Sequence, residues 1–309
     1  MLSRITNINK HKNLDLNNKY HEEYQYINLI KDILDHGNLE KGRNGNTLVS
    51  IGSAMHFSLN DNKIPILTTK KTAWKTCLKE LLWFIKGQTS NKILNDQKVH
   101  IWDGNSSKEF LQSRGLNYEI DGDLGPIYGF QWRHFNAEYN TCNDNYEDKG
   151  IDQLQEVIDT LKDPEKRTSR RMIVSAWNPC QLNDMALPPC HVMFQFHVTE
   201  GNKLSCTMYQ RSIDEICGSP FNIASYAFLT HLIAHHCDLE PHEFIYYMGN
   251  CHIYEEHIED AKVQIEREPY EFPRINIVNK RDNINDYEVS DFEISDYKHH
   301  AQIKVKMVV

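Results

Sequence analysis

The run from Ile216 to Cys237 constrains the fold most, because it contains no Asp, Glu, Lys or Arg. A run of this length could cross a bilayer as a helix. Pro220, Asn222 and several histidines interrupt its apolar side chains, however, and a charge-free helix can equally be one that is buried on all sides. We therefore predict a buried core helix over residues 222–237 with a polar entry, and no membrane-spanning segment.

The rest of the composition is that of an ordinary globular protein. The chain has 309 residues, of which 40% are hydrophobic and 25% charged. This length allows one large domain or two ordinary ones. No repeat or linker divides the sequence, so a single α+β domain over residues 21–309 is the simplest prediction. Residues 1–20 are rich in Asn and Lys and predict a flexible N-terminal tail.

Hydrophobic periodicity predicts alternating helices and strands along this domain. The predicted helices cover residues 22–37, 72–85, 151–161, 222–237 and 253–266. The predicted strands cover residues 47–51, 54–59, 172–177, 192–198, 204–209 and 244–248, and further strand-like pieces follow residue 274.

Charge and cysteine usage narrow the functional classes. A net charge of −9 without a long basic run makes nucleic-acid binding unlikely, although a local arginine cluster could still hold a small anion. None of the eight cysteines forms a CxxC pair, and their spacing suggests neither a disulfide framework nor a zinc site. Reduced thiols and the absence of a signal-peptide pattern predict a cytoplasmic protein without a metal.

Cys190 is a candidate nucleophile, since it follows Pro188-Pro189 and precedes a predicted strand. A lone cysteine at a strand start is more often a small buried hydrophobe. Arg211 and Ser212 lie at the end of the next strand, however, and a thiol beside a cation can be a thiolate near neutral pH. The residues that lie near Cys190 in the fold decide between these two interpretations.

Arginines and one carboxylate extend this candidate site. Arg43, Arg170, Arg171 and Arg211 could hold a phosphate, although the adjacent pair at 170–171 could equally be a solvated surface feature. Glu80 falls among the apolar positions of a predicted helix. Its carboxyl group faces either water or a cleft.

Several short segments occur together in one order along the chain. They are LTTK at 67–70, ELLWFIKG at 80–87, DLGPIYGFQWR at 123–133, ALPPCH at 186–191, YQRS at 209–212, PFNIASY at 220–226 and HIY at 252–254. In register, they resemble the thymidylate synthase family from about residue 20 to residue 309. The resemblance implies a mixed sheet that is packed with helices and forms the interface of a homodimer.

The resemblance also implies a reaction. In this family dUMP is methylated reductively to dTMP, and 5,10-methylenetetrahydrofolate supplies both the carbon and the hydride and leaves as dihydrofolate. No nicotinamide is needed, which agrees with the lack of a glycine-rich dinucleotide fingerprint. No dihydrofolate reductase segment is recognisable in the sequence, so we expect a chain that is not the fused bifunctional form.

Five residues would carry the chemistry by this resemblance. The Cys190 thiolate would add to C6 of uracil, and Arg211 would depress the pKa of that thiol as well as hold phosphate. Asn222 would hydrogen-bond O4 and N3–H, which suits uracil and opposes cytosine; its other reading is a helix N-cap. Glu80 would move protons through water with the help of Tyr128. His191 would serve local hydrogen bonding.

The resemblance further implies two binding sets. The dUMP set is Arg43, Arg170, Arg171, Gln210, Arg211, Ser212, Asp214, Asn222, His252 and Tyr254. The folate set is Trp102, Asn105, Asp214, Gly218 and Val309. Arg170 and Arg171 would reach across the dimer interface to the phosphate in the partner subunit, and the Val309 carboxylate would help to close the site.

Two short segments depart from the family pattern, and two alternatives stay open. The departures are Asn250-Cys251 before the HIY segment and the run at 215–217. One alternative is a hydroxymethylase of the same fold, which Asn222 and the apolar wall of Trp102 and Leu187 disfavour. The other is a non-catalytic relative kept for regulatory binding, for example to RNA, which the intact catalytic set and the acidic balance disfavour.

Overall fold

A six-stranded sheet forms the centre of the molecule. The computed structural model describes residues 21–42 and 44–305. The strands are β1 (Asn38–Gly42), β2 (Gly45–Ser58), β3 (Ile173–Ser175), β4 (His191–Thr199), β5 (Lys203–Asp214) and β6 (Glu240–Tyr254). Their order is β1-β2-β6-β5-β4-β3, with β5 and β6 parallel and the other pairs antiparallel. The predicted mixed sheet is thus confirmed.

Helices pack against the sheet and supply many of the buried apolar side chains. The larger ones are α1 (Tyr24–His36), α2 (Trp74–Ile85), α6 (Tyr128–His134), α7 (Gln153–Lys162), α8 (Ser219–His236) and α9 (Ile258–Ile265). Three short helices lie between α2 and α6, namely α3 (Asn91–Asp96), α4 (Asp103–Ser106) and α5 (Lys108–Ser113). A small second sheet pairs β7 (Arg274–Ile277) with β8 (Phe292–Ser295).

Helix α8 is the charge-free helix that the sequence predicted. It packs on β5, β6 and α2, and most of its side chains are buried. It begins at Ser219 rather than at Asn222, because Pro220 fits the first turn of a helix, where its missing N–H is not needed. Asn222 therefore lies inside the first turn, and the N-cap reading of this residue is wrong. Among the described residues, no helix is long and apolar enough to cross a membrane.

Strand pairing lengthens several elements beyond their predicted bounds. The strands predicted at residues 47–51 and 54–59 are joined in the single strand β2, which passes through Gly52 at a positive φ of 77° and ends at Ser58. Strand β6 continues to Tyr254, which pairs with Thr47, so the helix predicted at 253–266 shortens to α9. Ladder hydrogen bonds to neighbouring strands thus override the local preference of these segments.

The parallel pair β5–β6 brings functional side chains to one edge of the sheet. Because both strands run in the same direction, their carboxyl-terminal ends lie side by side, and Ser212 pairs with Asn250 and Asp214 with His252. Gly249 allows this approach, since a Cβ atom there would lie 2.6 Å from the carbonyl oxygen of Arg211. The predicted tail at residues 1–20 lies outside the described residues.

Candidate active site

Cys190 and Arg211 meet where β4 begins and β5 ends. Nη2 of Arg211 lies 3.7 Å from Sγ of Cys190. The guanidinium is fixed by donating from Nε to the carbonyl oxygen of Pro189 (2.8 Å) and from Nη2 to that of Pro188 (2.9 Å). The ring of Trp177 lies 5.6 Å from Cζ of Arg211. The two prolines therefore act through their carbonyl groups, which aim the arginine at the thiol.

Burial opposes ionisation of this thiol. Desolvation raises the pKa of Cys190, and the nearby Arg211 and Tyr128 lower it by less. The lowering by Arg211 that we expected is therefore present but is outweighed in the single chain. The protonated thiol is the resting form near neutral pH, so a nucleophile at this position must lose its proton in the course of the reaction.

Tyr128 connects the cysteine to a group of stacked rings. Its hydroxyl oxygen accepts a 2.7 Å hydrogen bond from the backbone N–H of Cys190. Its ring stacks on His191 at 4.3 Å between centroids, and Nδ1 of His191 shares a 3.1 Å hydrogen bond with the hydroxyl of Tyr226. Burial lowers the pKa of His191 to about 3, so the ring is neutral. His191 thus makes a local hydrogen bond, as expected.

Glu80 is half-buried beside this aromatic group. Nε1 of Trp102 donates to Oε1 of Glu80 over 2.7 Å, and the Trp102 ring lies 6.1 Å from that of Tyr128. Burial raises the pKa of Glu80 to about 7, against the lowering effect of the Trp102 hydrogen bond. A carboxyl group with this pKa can both accept and release a proton near neutral pH. Asn105 is half-buried in α4, directly after Trp102.

A buried amide network orients Asn222. Nε2 of Gln210 donates to Oδ1 of Asn222 over 3.2 Å, and Oε1 of Gln210 accepts from the hydroxyl of Tyr246 over 2.6 Å. Gln210 is only 2% exposed, so its amide has little freedom to turn. Asn222 is thereby held with its Oδ1 toward Gln210 and its side chain at the start of α8.

A cleft of about 440 Å³ opens beside Arg211. Its lining residues are Glu40, Gly42, Asn44, Gly45, Thr47, Val49, Arg211, Ser212, Asn250, His252 and Tyr254. Four of these belong to the predicted nucleotide-binding set. One cationic side chain and several hydroxyl, amide and imidazole groups suit an anionic, hydroxyl-bearing ligand, and the exposed Glu40 is the one acidic residue among the described residues of the lining.

Asn250 is a cleft residue that the predicted site set does not include. Its Oδ1 lies 2.9 Å from Nδ1 of His252. Burial lowers the pKa of His252, so the ring is neutral and Asn250 favours the tautomer with the proton on Nδ1. The sequence could have indicated this residue, because Asn250 precedes His252 by two positions on one strand and alternate residues of a strand share a face.

Asp214 closes the turn between β5 and α8. Its Oδ1 accepts from the backbone N–H of Ile216 (2.8 Å) and of Cys217 (3.1 Å). Gly218 ends this turn, and a Cβ atom there would lie 2.8 Å from Cδ1 of Ile213. Asp214 therefore holds the turn as well as presenting a carboxylate beside the cleft strands.

Some predicted residues are not brought together within the described chain. Arg170 and Arg171 are exposed just before β3, at the far edge of the sheet from β1, and do not line the cleft. Arg43 and Val309 lie outside the described residues. A single chain thus presents one described arginine, Arg211, at the cleft.

Comparisons with known proteins agree on one family. The family model described as "Thymidylate synthase" matches residues 24–309. The chain is 49% identical over 299 residues to "Thymidylate synthase" of Agaricus bisporus, covering 94% of this chain and 100% of that protein. It is 48% and 50% identical over 291 residues to "Bifunctional dihydrofolate reductase-thymidylate synthase" of Leishmania major and Zea mays. It covers 56% and 55% of those proteins, about half their length.

Proposed function

Because the chain belongs to the thymidylate synthase family, we propose that it methylates dUMP reductively to dTMP, with 5,10-methylenetetrahydrofolate as the donor of carbon and hydride. The observation that carries this proposal is the position of Arg211. Its guanidinium contacts Sγ of Cys190 and also lines the cleft with Ser212, His252 and Tyr254. A nucleotide phosphate in that cleft would bring its pyrimidine ring toward the sulfur.

Cys190 would act as the nucleophile. Its sulfur adds to C6 of the uracil ring and so turns C5 into a carbon nucleophile. Arg211 stabilises the thiolate as the proton leaves, and it also holds the phosphate together with Ser212, with Arg43 as a further candidate. His252 and Tyr254 would contact the ribose hydroxyl from the same strand, β6.

Asn222 and Gln210 would read the uracil base. Gln210 donates to Oδ1 of Asn222, which orients the amide and leaves its N–H groups for the uracil O4. A second lone pair on Oδ1 can accept from the uracil N3–H. Cytosine would present the opposite pattern at both positions, so the geometry favours uracil.

Glu80 and Tyr128 would handle the protons. Removal of the C5 proton needs an acceptor, and the pKa of Glu80, raised by burial to about 7, suits that step. Tyr128 lies between this carboxyl group and Cys190, since it is packed near Trp102 and bonded to the Cys190 backbone.

The folate set has a chemistry that fits a reduced pterin. Trp102 offers an aromatic surface, Asn105 an amide, and Asp214 a carboxylate that can accept from ring N–H groups, with Gly218 and Val309 completing the set. When bound, the folate supplies a one-carbon unit and a hydride. Trp102 would orient it and keep Glu80 in place through the Nε1 hydrogen bond.

A homodimer would complete the site. One face of the sheet exposes Tyr209 and Tyr247, which pair with each other across β5 and β6 and are 42% and 44% exposed. Apolar side chains on a sheet face are suited to covering by a second copy of the chain. Arg170 and Arg171 make no ion pair within the described residues, and we propose that they reach the phosphate bound by the partner subunit.

Cysteine usage and the acidic net charge support a cytoplasmic location without nucleic-acid binding.

The proposal is tested by mixing the full chain with dUMP and 5,10-methylenetetrahydrofolate and following the absorbance of dihydrofolate. A rise that requires both substrates and is lost in Cys190→Ala supports the assignment. Consumption of the folate without dihydrofolate would indicate a hydroxymethylase instead, and no consumption at all would overturn the catalytic role. Binding of dUMP by Cys190→Ala is the matched control for a folded site.

A further inference from the structure

Three chemically different metal-binding groups meet at the turn after β5. They are the carboxylate of Asp214, the thiol of Cys217 and the imidazole of His257, and one ligand atom of each lies within 4.8 Å of the other two. Oδ2 of Asp214 lies 3.9 Å from Nδ1 of His257. Cys217 belongs to no CxxC pair, so the spacing of cysteines in the sequence could not indicate this cluster.

The fold holds these groups in place from two sides. Asp214 and Cys217 lie three residues apart in a turn whose backbone is fixed by two hydrogen bonds to Oδ1 of Asp214. His257 comes directly before α9, and its side chain is 3% exposed. Because the turn bonds use Oδ1, the other oxygen of Asp214 is the one that faces the imidazole.

We propose that Asp214, Cys217 and His257 form a binding site for Zn²⁺. Thiolate, imidazole and carboxylate are the protein ligands that zinc prefers, and three of them with a water in the fourth position make an open tetrahedral site. Zinc–ligand bonds of about 2.0–2.3 Å require these atoms to approach one another by roughly 1 Å. On binding, the thiol of Cys217 loses its proton to solvent and the sulfur bonds the metal.

The surrounding charges favour a cation on balance. The carboxylate of Glu256 lies 3.8 Å from Nε2 of His257, on the side of the ring away from Asp214, which is the arrangement that orients a metal-binding imidazole. Lys70 opposes the cation: its ammonium donates to the carbonyl oxygen of Ile216, next to Cys217. Two carboxylates and one thiolate thus face a single ammonium.

Occupation of this site would regulate the reaction, an effect that rests on the proposed function. Asp214 belongs to the proposed folate set, and a carboxylate oxygen that bonds zinc is withdrawn from the pterin. Zinc would therefore raise the apparent KM for methylenetetrahydrofolate, by about tenfold if the coupling is of ordinary size. A chelator would reverse the effect.

The test is a titration of the full chain with Co²⁺, a spectroscopic substitute for Zn²⁺. We expect one equivalent to bind with a sulfur-to-cobalt charge-transfer band that Zn²⁺ displaces. The band should vanish in Cys217→Ser and stay in the control Cys180→Ser, whose cysteine is exposed and outside the cluster. A band that persists in Cys217→Ser, or that is lost in Cys180→Ser, would overturn the site.

A second measurement does not depend on a variant that folds. In the wild-type chain, Zn²⁺ should protect Cys217 from alkylation, as read by peptide mass spectrometry, while Cys180 stays reactive. Equal alkylation of Cys217 with and without Zn²⁺ would refute the proposal. Turnover of dUMP in the presence of a chelator is measured in parallel. Turnover without metal binding refutes only the zinc site, and metal binding without turnover refutes only the proposed function.

Discussion

Nη2 of Arg211 lies 3.7 Å from Sγ of Cys190, and the carbonyl oxygens of Pro188 and Pro189 hold the guanidinium there. The same arginine lines the cleft in which Ser212, His252 and Tyr254 meet. One side chain therefore joins the proposed phosphate site to the proposed nucleophile. Binding of the phosphate and ionisation of the thiol should accordingly be linked.

Replacement of Arg211 by Gln should make Cys190 less reactive. Burial already raises the pKa of Cys190, and the lowering effect of Arg211 would be lost. A rise of one pKa unit corresponds to about tenfold less thiolate. The rate of iodoacetamide alkylation at Cys190, measured by mass spectrometry across pH, should shift to higher pH. The control Arg274→Gln changes an exposed arginine and should leave that profile unchanged; an unaltered profile in Arg211→Gln would contradict the argument.

The pH dependence of turnover should report Glu80. Burial raises its pKa to about 7, and the hydrogen bond from Trp102 lowers it. Glu80→Gln should reduce kcat by roughly 10²–10⁴ and remove the ionisation near pH 7 from the rate profile. Trp102→Phe should move that midpoint upward, because the donor that favours the carboxylate is gone. A midpoint that stays in place in Trp102→Phe would show that another group titrates.

Asn222→Asp should shift the base preference toward dCMP. A protonated carboxyl group can donate to N3 of cytosine and accept from its amino group, whereas the amide suits uracil. Discrimination by one such pair is worth about 1–3 kcal/mol, or roughly 10–100-fold in the ratio of kcat/KM values. Competition between dUMP and dCMP measures it, with Asn250→Asp as the matched change at another cleft position. An unchanged ratio in Asn222→Asp would remove the base-reading role.

Glu215 should make stability depend on pH. Its side chain is 0% exposed, and burial raises its pKa to about 8, with Ser219 and Cys251 lowering it only in part. Because the folded pKa is raised, its contribution to stability is present below about pH 4 and is lost as pH rises to about 8.

Glu215→Gln cannot ionise and should escape this loss. At pH 9 the variant should exceed the wild type in free energy of unfolding by up to about 5 kcal/mol, and at pH 4 the difference should disappear. Denaturant unfolding at both pH values measures it, and Glu266→Gln, an exposed position, is the control. Parallel pH dependence in Glu215→Gln and the wild type would mean that this carboxyl group stays neutral or hydrated.

The sequence predicts the chemistry of this molecule better than its geometry. The pairing of Cys190 with Arg211 follows from two strand ends and a family resemblance, and the charge-free run correctly predicts a buried helix. The parallel pairing of β5 with β6 does not follow, because a strand carries no local mark of its partner. The position of His257 beside Asp214 depends on that pairing. The raised pKa of Cys190 depends on burial, which only the packed structure shows.

The proposed sharing of sites between subunits leads to a complementation result. Arg170→Ala/Arg171→Ala and Cys190→Ala should each be nearly inactive. A heterodimer of the two has one site with every required residue, because the cysteine comes from one chain and the arginines from the other. Random reassociation of equal amounts should then restore about one quarter of the wild-type activity, since half of the dimers are mixed and each has one intact site.

A mixture of Cys190→Ala with Glu80→Gln should restore nothing, because Glu80 connects to Cys190 through Trp102 and Tyr128 of the same chain. Equal activity in the two mixtures would place the arginines outside the partner's site.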